Sequence, residues 1–229
     1  MGKRYRSTLR KPVVLDTVTC YCDGGSWIAC RENEFSDCLP ETFRTKRAKF
    51  EAKDFVYNLK QTKPESSGLG GTIRPLGVAQ LPSLAKQGVS YSLFTIKPCG
   101  INLPHVHPRA TELLYVIKGS KLVTAFVEEN GGRAIVNELS AGQATFFPQG
   151  LIHYQQNLGC ETAEYISALN SEDPGVVTIS TQTLNHLPTT ALVDTFNISN
   201  LNLLKLQSGL PKGPAQGREE CLKKCGMSE

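Results

Sequence analysis

The middle of the chain, from residue 89 to residue 181, consists of short segments at close intervals, bounded by glycine, proline or asparagine. This spacing is typical of a β-sandwich or barrel. Strands do not alternate with helices, so nothing indicates a parallel sheet. Asn130-Gly131-Gly132 predicts a hairpin turn, because these residues tolerate positive φ angles. The predicted strands are Val89–Lys97, Glu112–Ile117, Lys121–Glu128, Arg133–Glu138, Ala144–Phe147, Tyr154–Asn157, Thr162–Ala168 and Val176–Thr181.

Both flanks of this region differ from it in composition. Residues 1–45 are basic and rich in cysteine, which predicts an irregular amino-terminal arm pinned by disulfides. Residues 60–88 are rich in glycine, proline, serine and lysine and predict a long loop. We expect residues 46–183 to form an all-β domain and 184–229 a carboxyl-terminal helical extension, in which Ser199 is a candidate N-cap. The predicted short helices are Thr190–Phe196 and Asn200–Leu206, and a last amphipathic turn is predicted at Glu219–Lys224.

Composition and charge exclude several classes of protein. Of 229 residues, 40% are hydrophobic and 20% are charged, which is typical of a globular domain and not of a disordered chain. The net charge of +4 is too small to indicate a nucleic-acid partner. No apolar run approaches the ~18 residues of a membrane span. We therefore expect neither nucleic acid nor membrane as a partner.

The cysteine count bears on the cellular compartment. The chain has eight cysteines, and an even, high number fits a secreted protein stabilised by disulfides. The segment from Met1 to Thr19 carries basic residues but no apolar stretch of signal-peptide length. We expect an extracellular protein whose signal peptide lies outside this sequence; a cytoplasmic protein is the alternative.

Three of the four histidines lie in two short segments that form a candidate metal site. His105 and His107 project from the same side of a strand, because strand residues alternate between faces. Glu112 lies on the next strand, and His153 comes from a distant one that only a closed or double-sheet β fold would bring near. Three imidazole nitrogens and one carboxylate oxygen suit Mn, Fe, Zn, Ni or Cu better than Mg or Ca. The alternative is that these histidines pack beside aromatic rings or face solvent.

Two motifs around these residues resemble the cupin motifs, and in detail those of germins, germin-like proteins and spherulins. The first is Pro104-His105-Val106-His107-Pro108-Arg109-Ala110-Thr111-Glu112, and the second is Phe147-Pro148-Gln149-Gly150-Leu151-Ile152-His153-Tyr154-Gln155. The resemblance covers roughly residues 46 to 206. It implies a cupin β jelly-roll barrel, a bound manganese ion and an extracellular location. It also implies carboxyl-terminal helices that build trimers of dimers, and oxalate oxidase or superoxide dismutase activity.

The same resemblance assigns roles to side chains around the metal. It implies that His105, His107, Glu112 and His153 are the ligands. Asn102 matches an asparagine that orients oxalate in the oxidases. A second such asparagine is expected where this chain has Ser92, whose hydroxyl is shorter and lacks an NH₂ donor. This difference weakens the oxalate oxidase hypothesis without removing it.

Two amides on the strand of His153 are further candidates. Gln155 and Asn157 share the face of His153 by the period of two, so both are predicted to point inward. They could orient a metal-bound water or an imidazole ligand. The alternative is that they only satisfy buried backbone groups. With Asn102, these residues are the predicted catalytic set.

The strand after Glu112 also predicts an oligomer. Leu113, Tyr115 and Ile117 would form an apolar stripe on its outer face. An exposed stripe is unusual for a monomer, so burial in a subunit or helix interface is expected. A homo-oligomer, whether dimer, trimer or hexamer, would cover it.

One disulfide follows from strand register. If the strands of the two motifs pair with His105 opposite His153, Cys99 and Cys160 lie within one position of the same register. We therefore predict a Cys99–Cys160 disulfide, with two free buried thiols as the alternative.

The hypothesis that these observations favour is a secreted, manganese-dependent oxidoreductase that dismutates superoxide, with oxalate oxidation as a related activity. Iron is a less favoured metal. Either activity makes a small molecule the substrate. A non-catalytic, metal-binding wall, storage or encystment protein of the spherulin type is the alternative. A cupin isomerase or dioxygenase with another metal is a third possibility.

Overall fold

The structure, a computed structural model, describes residues 18–22, 26–30, 49–211, 213–217 and 220–227. The chain forms two compact units that divide between Glu51 and Ala52. In the first unit, β1 (Val18–Cys22) and β2 (Ser26–Cys30) form an antiparallel hairpin. The rest of the predicted arm, with its boundary at residue 45, lies outside the described residues.

The second unit contains two antiparallel sheets. The first sheet has the strand order β10-β7-β12-β5-β4-β3, and the second has the order β13-β6-β11-β8-β9 with β14 beside β6. The predicted all-β, two-sheet fold is confirmed. In chain order, the strands are β3 (Ser66–Gly68), β4 (Gly71–Leu76), β5 (Ser90–Ile96), β6 (Gly100–Val106), β7 (Glu112–Lys118), β8 (Leu122–Val127), β9 (Ala134–Leu139), β10 (Ala144–Phe147), β11 (His153–Asn157), β12 (Ala163–Leu169), β13 (Val177–Thr178) and β14 (Ala215–Gln216).

The core lies on the inner faces of the strands and follows their alternation. In β7, Glu112, Leu114 and Val116 are buried, whereas the residues between them are exposed. Each fully buried Leu or Val side chain contributes about 1.5–3 kcal/mol to folding. The predicted hairpin also forms, because β8 pairs with β9 and Gly131 adopts a φ of 85° at the turn. The buried core cluster comprises Phe94, Ile96, Leu114, Val116, Leu122, Leu139, Phe147, Ala163 and Tyr165.

The long loop predicted for residues 60–88 is wrong in part, since β3, β4 and a short 3₁₀ helix (Pro82–Leu84) lie within it. Its glycine and proline residues suggested irregular structure. Strand β4 forms because β5 supplies a continuous pairing partner from Gly71 to Leu76. Pro75 is tolerated because β3 pairs only with residues up to Ile73, so the missing N–H is not needed there.

The strand predicted at Val176–Thr181 is also mostly wrong. Only Val177–Thr178 is extended, and a helix follows at once. The β-branched residues favoured a strand, but tertiary contacts favour the helix: the Gln207 side chain donates a hydrogen bond to the carbonyl oxygen of Leu184. The helices are α1 (Ile179–His186), α2 (Thr189–Phe196), α3 (Asn200–Ser208) and α4 (Glu220–Lys224).

Two of these helices were predicted, and so was one cap. Helices α2 and α3 confirm the apolar spacing, and the Ser199 hydroxyl accepts a hydrogen bond from the Asn202 backbone N–H at 3.3 Å, as expected of an N-cap. Within the described residues, every helix is too short or too polar to cross a membrane.

The predicted Cys99–Cys160 disulfide is wrong. Cys99 is bonded to Cys221, and Cys160 to Cys225. The register that motivated the prediction holds at His105 and His153, but it shifts within β11. Both strands also end before the cysteines are reached. The carboxyl-terminal segment supplies the partners instead.

That segment runs directly across the edge of the second sheet. Strand β14 pairs with β6, and the Gly70 N–H donates to the carbonyl oxygen of Pro214 at 2.9 Å. A Cβ atom at Gly70 would lie 1.8 Å from the carbonyl oxygen of Ala215. A glycine is therefore required at position 70 for this close approach.

Candidate metal centre

Strand pairing brings the two histidine segments together. His105 of β6 lies directly opposite His153 of β11. Glu112 begins β7 in the other sheet, and His107 follows the last residue of β6. One ligand atom of each residue lies within 4.8 Å of the ligand atoms of the other three. The predicted convergence of these four side chains is confirmed.

Backbone carbonyl groups fix the orientation of all three imidazole rings. The Nδ1 atoms of His105 and His153 lie 2.7 and 2.9 Å from carbonyl oxygens two residues earlier. His107 uses the carbonyl oxygen of Gly175 in the same way. Because a carbonyl oxygen only accepts, each Nδ1 carries a proton, and each Nε2 offers a lone pair whenever its ring is neutral. This tautomer is the one that can bind a metal through Nε2.

The two carboxylate oxygens of Glu112 make different contacts. Its Oε2 lies 3.1 Å from Nε2 of His107 and 3.2 Å from Nε2 of His153. Its Oε1 accepts a hydrogen bond from the Ser167 hydroxyl at 2.5 Å. Burial opposes ionisation, but the hydrogen bonds with the two imidazoles reverse that effect and hold the pKa of Glu112 well below its usual range. The site therefore presents one anionic oxygen.

The histidines differ in how readily they bind a proton. Burial, reinforced by the charge of His153, lowers the pKa of His105 to about 4. Burial acts in the same direction at His107, but its hydrogen bond to Glu112 and the charge of that carboxylate outweigh burial and raise the pKa. His105 thus stays neutral and available as a ligand in mildly acidic solution.

Replacing Ser167 by alanine is expected to lower metal affinity about 10–100-fold, the cost typical of losing a group that orients a ligand. The substitution frees Oε1 of Glu112, so the carboxylate can rotate away from the imidazoles. Metal titration followed by calorimetry measures the effect. Ser90→Ala is a matched control, because Ser90 is also buried and its hydroxyl has no partner among the described residues. Equal affinities in the two variants would contradict the role of Ser167.

A second group of buried polar side chains lies beside the ligands. The Asn102 amide donates to Oε1 of Gln155 at 2.7 Å, and the Tyr165 hydroxyl donates to the same oxygen at 3.2 Å. Burial, together with the charge of Glu112, raises the pKa of Tyr165, so it remains a neutral donor. Within the described part of the chain, Nε2 of Gln155 has no hydrogen-bond partner although the residue is fully buried. A buried amide donor is thus left available.

Asn157 has a different environment from the one predicted. Its amide nitrogen donates to the carbonyl oxygens of Ile96, Lys97 and Glu161, and its Oδ1 accepts from the Gly159 N–H at 2.9 Å. Every one of these partners is a backbone group. The structure supports the alternative in which Asn157 satisfies buried backbone groups, and we assign it no catalytic role.

The ligands open onto a cavity of about 520 Å³. His105, His107 and Glu112 line it, together with Asn102 and Ser92. Ser92, at the position where the resemblance implies an asparagine, thus lies in the cavity wall. A small molecule entering this cavity would meet the ligands directly.

Ser167 and Tyr165 are site residues that the sequence analysis missed. Both lie on β12, whose inward positions are otherwise Ala163 and Leu169. The available signal was a serine at an inward position of an otherwise mainly apolar strand, since a buried hydroxyl needs a partner.

A two-sheet antiparallel fold with three imidazoles and a carboxylate between the sheets is the architecture of a cupin, and the sequence agrees. The model of the cupin family matches residues 57–202. The chain is 38% identical over 177 residues to spherulin-1A of Physarum polycephalum, covering 76% of this chain and 71% of the relative. It is 35% identical over 162 residues to the putative germin-like protein 2-1 of Oryza sativa subsp. japonica, covering 69% and 74%.

A solved structure extends the likeness to three dimensions. Recombinant oxalate oxidase in complex with glycolate matches with a TM-score of 0.65 and 26% identity, over 85% of this chain and 94% of that one. The chain belongs to the cupin family, and within it to the branch of germin-like proteins and spherulins. His105, His107, Glu112 and His153 form its cupin metal-binding site.

Proposed function

We propose that this protein is a secreted, manganese-dependent oxidoreductase that dismutates superoxide. The observation that carries the proposal is the preorganised set of three Nε2 atoms and one carboxylate oxygen at an open cavity. Nitrogen and carboxylate donors suit manganese, and the germin resemblance implies it; iron is the less favoured alternative. A bound manganese ion supplies one-electron redox chemistry.

The surrounding amides have defined tasks in this proposal. Dismutation consumes two superoxide anions and two protons and yields oxygen and hydrogen peroxide. The free donor on Gln155 orients a water or peroxide oxygen, while Asn102 and Tyr165 hold its Oε1 and so fix the amide. Asn102 also lines the cavity and can contact a substrate directly.

Oxalate oxidation is the related activity. The match to oxalate oxidase and the presence of Asn102 in the cavity wall favour it. Ser92 weakens it, because a hydroxyl cannot supply the two N–H donors of an amide. We therefore expect any oxalate turnover to be weaker than superoxide turnover.

We also propose that the protein is a homo-oligomer. Leu113, Tyr115 and Ile117 are exposed on the outer face of β7, at 56%, 45% and 45%. Phe146, which pairs with Leu113 across β10, extends the apolar stripe and is 55% exposed. A second copy of the chain would cover this surface.

Tyr115→Glu is expected to convert the oligomer into monomers, because each interface would then bury a carboxylate without a partner. Sedimentation velocity measures the change, and circular dichroism checks that the fold is kept. Val56→Glu is the control, since Val56 is 74% exposed and lies outside the stripe. A wild-type protein that sediments as a monomer would contradict the proposed interface.

Secretion is the third element of the proposal. Two disulfides join Cys99 and Cys160 of the β domain to the carboxyl-terminal segment. Stable disulfides form in oxidising compartments, which favours an extracellular location over the cytoplasm.

The test combines metal analysis with two assays on the purified oligomer. We expect stoichiometric manganese, superoxide turnover, and loss of both in His105→Ala with the oligomer retained. His186→Ala is the matched control, because His186 lies in α1 and outside the metal cluster. Activity that persists in His105→Ala would contradict the proposal.

A non-catalytic spherulin-type protein is the second candidate. The 38% identity to spherulin-1A favours it. In that case the metal would tie the two sheets together as a structural element. Stoichiometric manganese without superoxide or oxalate turnover, and a lower melting temperature after metal removal, would support this candidate.

A further inference from the structure

The cavity beside the metal ligands is much larger than the small substrates considered so far require. Its volume of about 520 Å³ lies within the ~300–1,000 Å³ of sites that hold drug-sized ligands. Superoxide is diatomic, and oxalate is two carboxylates joined by one bond. Either would leave most of this space to water.

The cavity wall is mainly apolar. Side chains from the first sheet (Ile73, Phe94 and Leu169), from β6 (Leu103) and from the segment after β12 (Val176) contribute to it. Phe94 and Leu169 are buried, at 6% and 5% exposure. Contact between such a wall and an apolar group, in place of water, lowers the free energy of the complex.

The described part of the cavity wall offers a dianion little charge compensation. Among the described residues that line it, none is a lysine or arginine, and Glu65 adds a carboxylate. Within this described part of the wall, a dianion such as oxalate would depend on the metal and on neutral donors for compensation. A monoanion makes a smaller demand on these groups.

We propose that the cavity binds an organic chelator with an apolar body: a head with two adjacent oxygen atoms and at most one negative charge, directed at the metal, and a hydrocarbon body against Ile73, Leu169 and Val176. The inference rests on the metal site proposed above. It adds an organic ligand to the superoxide chemistry. Asn102 of β6 and Ser92 of β5, which also line the cavity, supply polar contacts for the head.

Two hydroxamates test the apolar part of the proposal. Acetohydroxamate and cyclohexanecarbohydroxamate share the chelating head and its charge and differ only in the body. Isothermal titration calorimetry of the manganese-loaded protein should show the cyclohexyl compound binding about 10–100-fold more tightly, the range typical of filling an apolar pocket. Equal affinities would overturn the proposal.

Two variants test which residues contact the hydrocarbon body of the ligand. Val176→Asn is expected to reduce the affinity ratio at least threefold while leaving acetohydroxamate binding within about twofold, since only the body contacts this residue. Val176 is 63% exposed, so the substitution is compatible with folding. Val56→Asn, at a 74% exposed site outside the cavity, is the matched control and should leave the ratio unchanged. Ile73→Ala, at a second lining residue on β4, should also reduce the affinity ratio.

The outcomes separate this proposal from the metal function. A protein that binds manganese and acetohydroxamate but shows no preference for the cyclohexyl compound overturns the organic ligand alone. A protein that takes up no manganese overturns the metal function and, with it, the chelator. A preference that survives both wall substitutions also contradicts the assigned position of the body.

Discussion

Replacing Glu112 by glutamine is expected to lower manganese affinity at least about a hundredfold, because losing even a group that only orients a ligand costs 10–100-fold. The amide keeps the size of the side chain and can still accept a hydrogen bond from Ser167. It removes the anionic oxygen that faces His107 and His153. Metal content after dialysis and calorimetric titration measure the effect, and superoxide turnover should fall in parallel.

The control for this variant is Glu138→Gln, since Glu138 is an exposed carboxylate on β9 outside the metal cluster. Circular dichroism should show that both variants keep the fold, because a neutral isostere also removes the cost of a buried charge. If Glu112→Gln retained full manganese affinity, the carboxylate would not be a ligand.

Breaking the Cys99–Cys221 disulfide by the double substitution Cys99→Ser/Cys221→Ser is expected to lower the free energy of unfolding by about 2–4 kcal/mol. The bond spans 122 residues and ties α4 to the start of β6, which carries His105. The same segment supplies Pro211 and Gly213 to the cavity wall. Denaturant titration measures the loss, and manganese affinity should fall with it.

A single substitution tests the pairing itself. Cys99→Ser should leave Cys221 as the free thiol, identified by alkylation and peptide mass spectrometry. The pairing predicted from strand register would free Cys160 instead. Cys160→Ser, which should free Cys225, is the matched control.

The sequence predicted the metal centre well because the ligands lie in two short motifs that resemble the cupin motifs. His105 and His107 share a strand face by alternation, and the pairing of His105 with His153 follows once the fold has two antiparallel sheets. The partners of those ligands were harder to predict. Ser167 is 55 residues from Glu112, and only the pairing of β12 with β7 brings the two together.

The errors in the fold have a common origin in tertiary structure. The disulfide pairing depends on a register shift within β11 and on the carboxyl-terminal segment, which returns to pair with β6. The spacing of the cysteines in the sequence predicts neither feature. Likewise, Pro75 and Gly71 suggested a loop, but their segment forms a strand because it pairs with β5 along its whole length. Local propensity was overridden in each case by a pairing partner far along the chain.

The most direct test of the account is X-ray absorption fine structure at the absorption edge of the metal in the purified protein. We predict a first shell of nitrogen and oxygen atoms with the multiple-scattering pattern of three imidazoles, reduced by one in His153→Ala. A shell without imidazole scattering, or one that His153→Ala leaves unchanged, would contradict a metal held by His105, His107, Glu112 and His153.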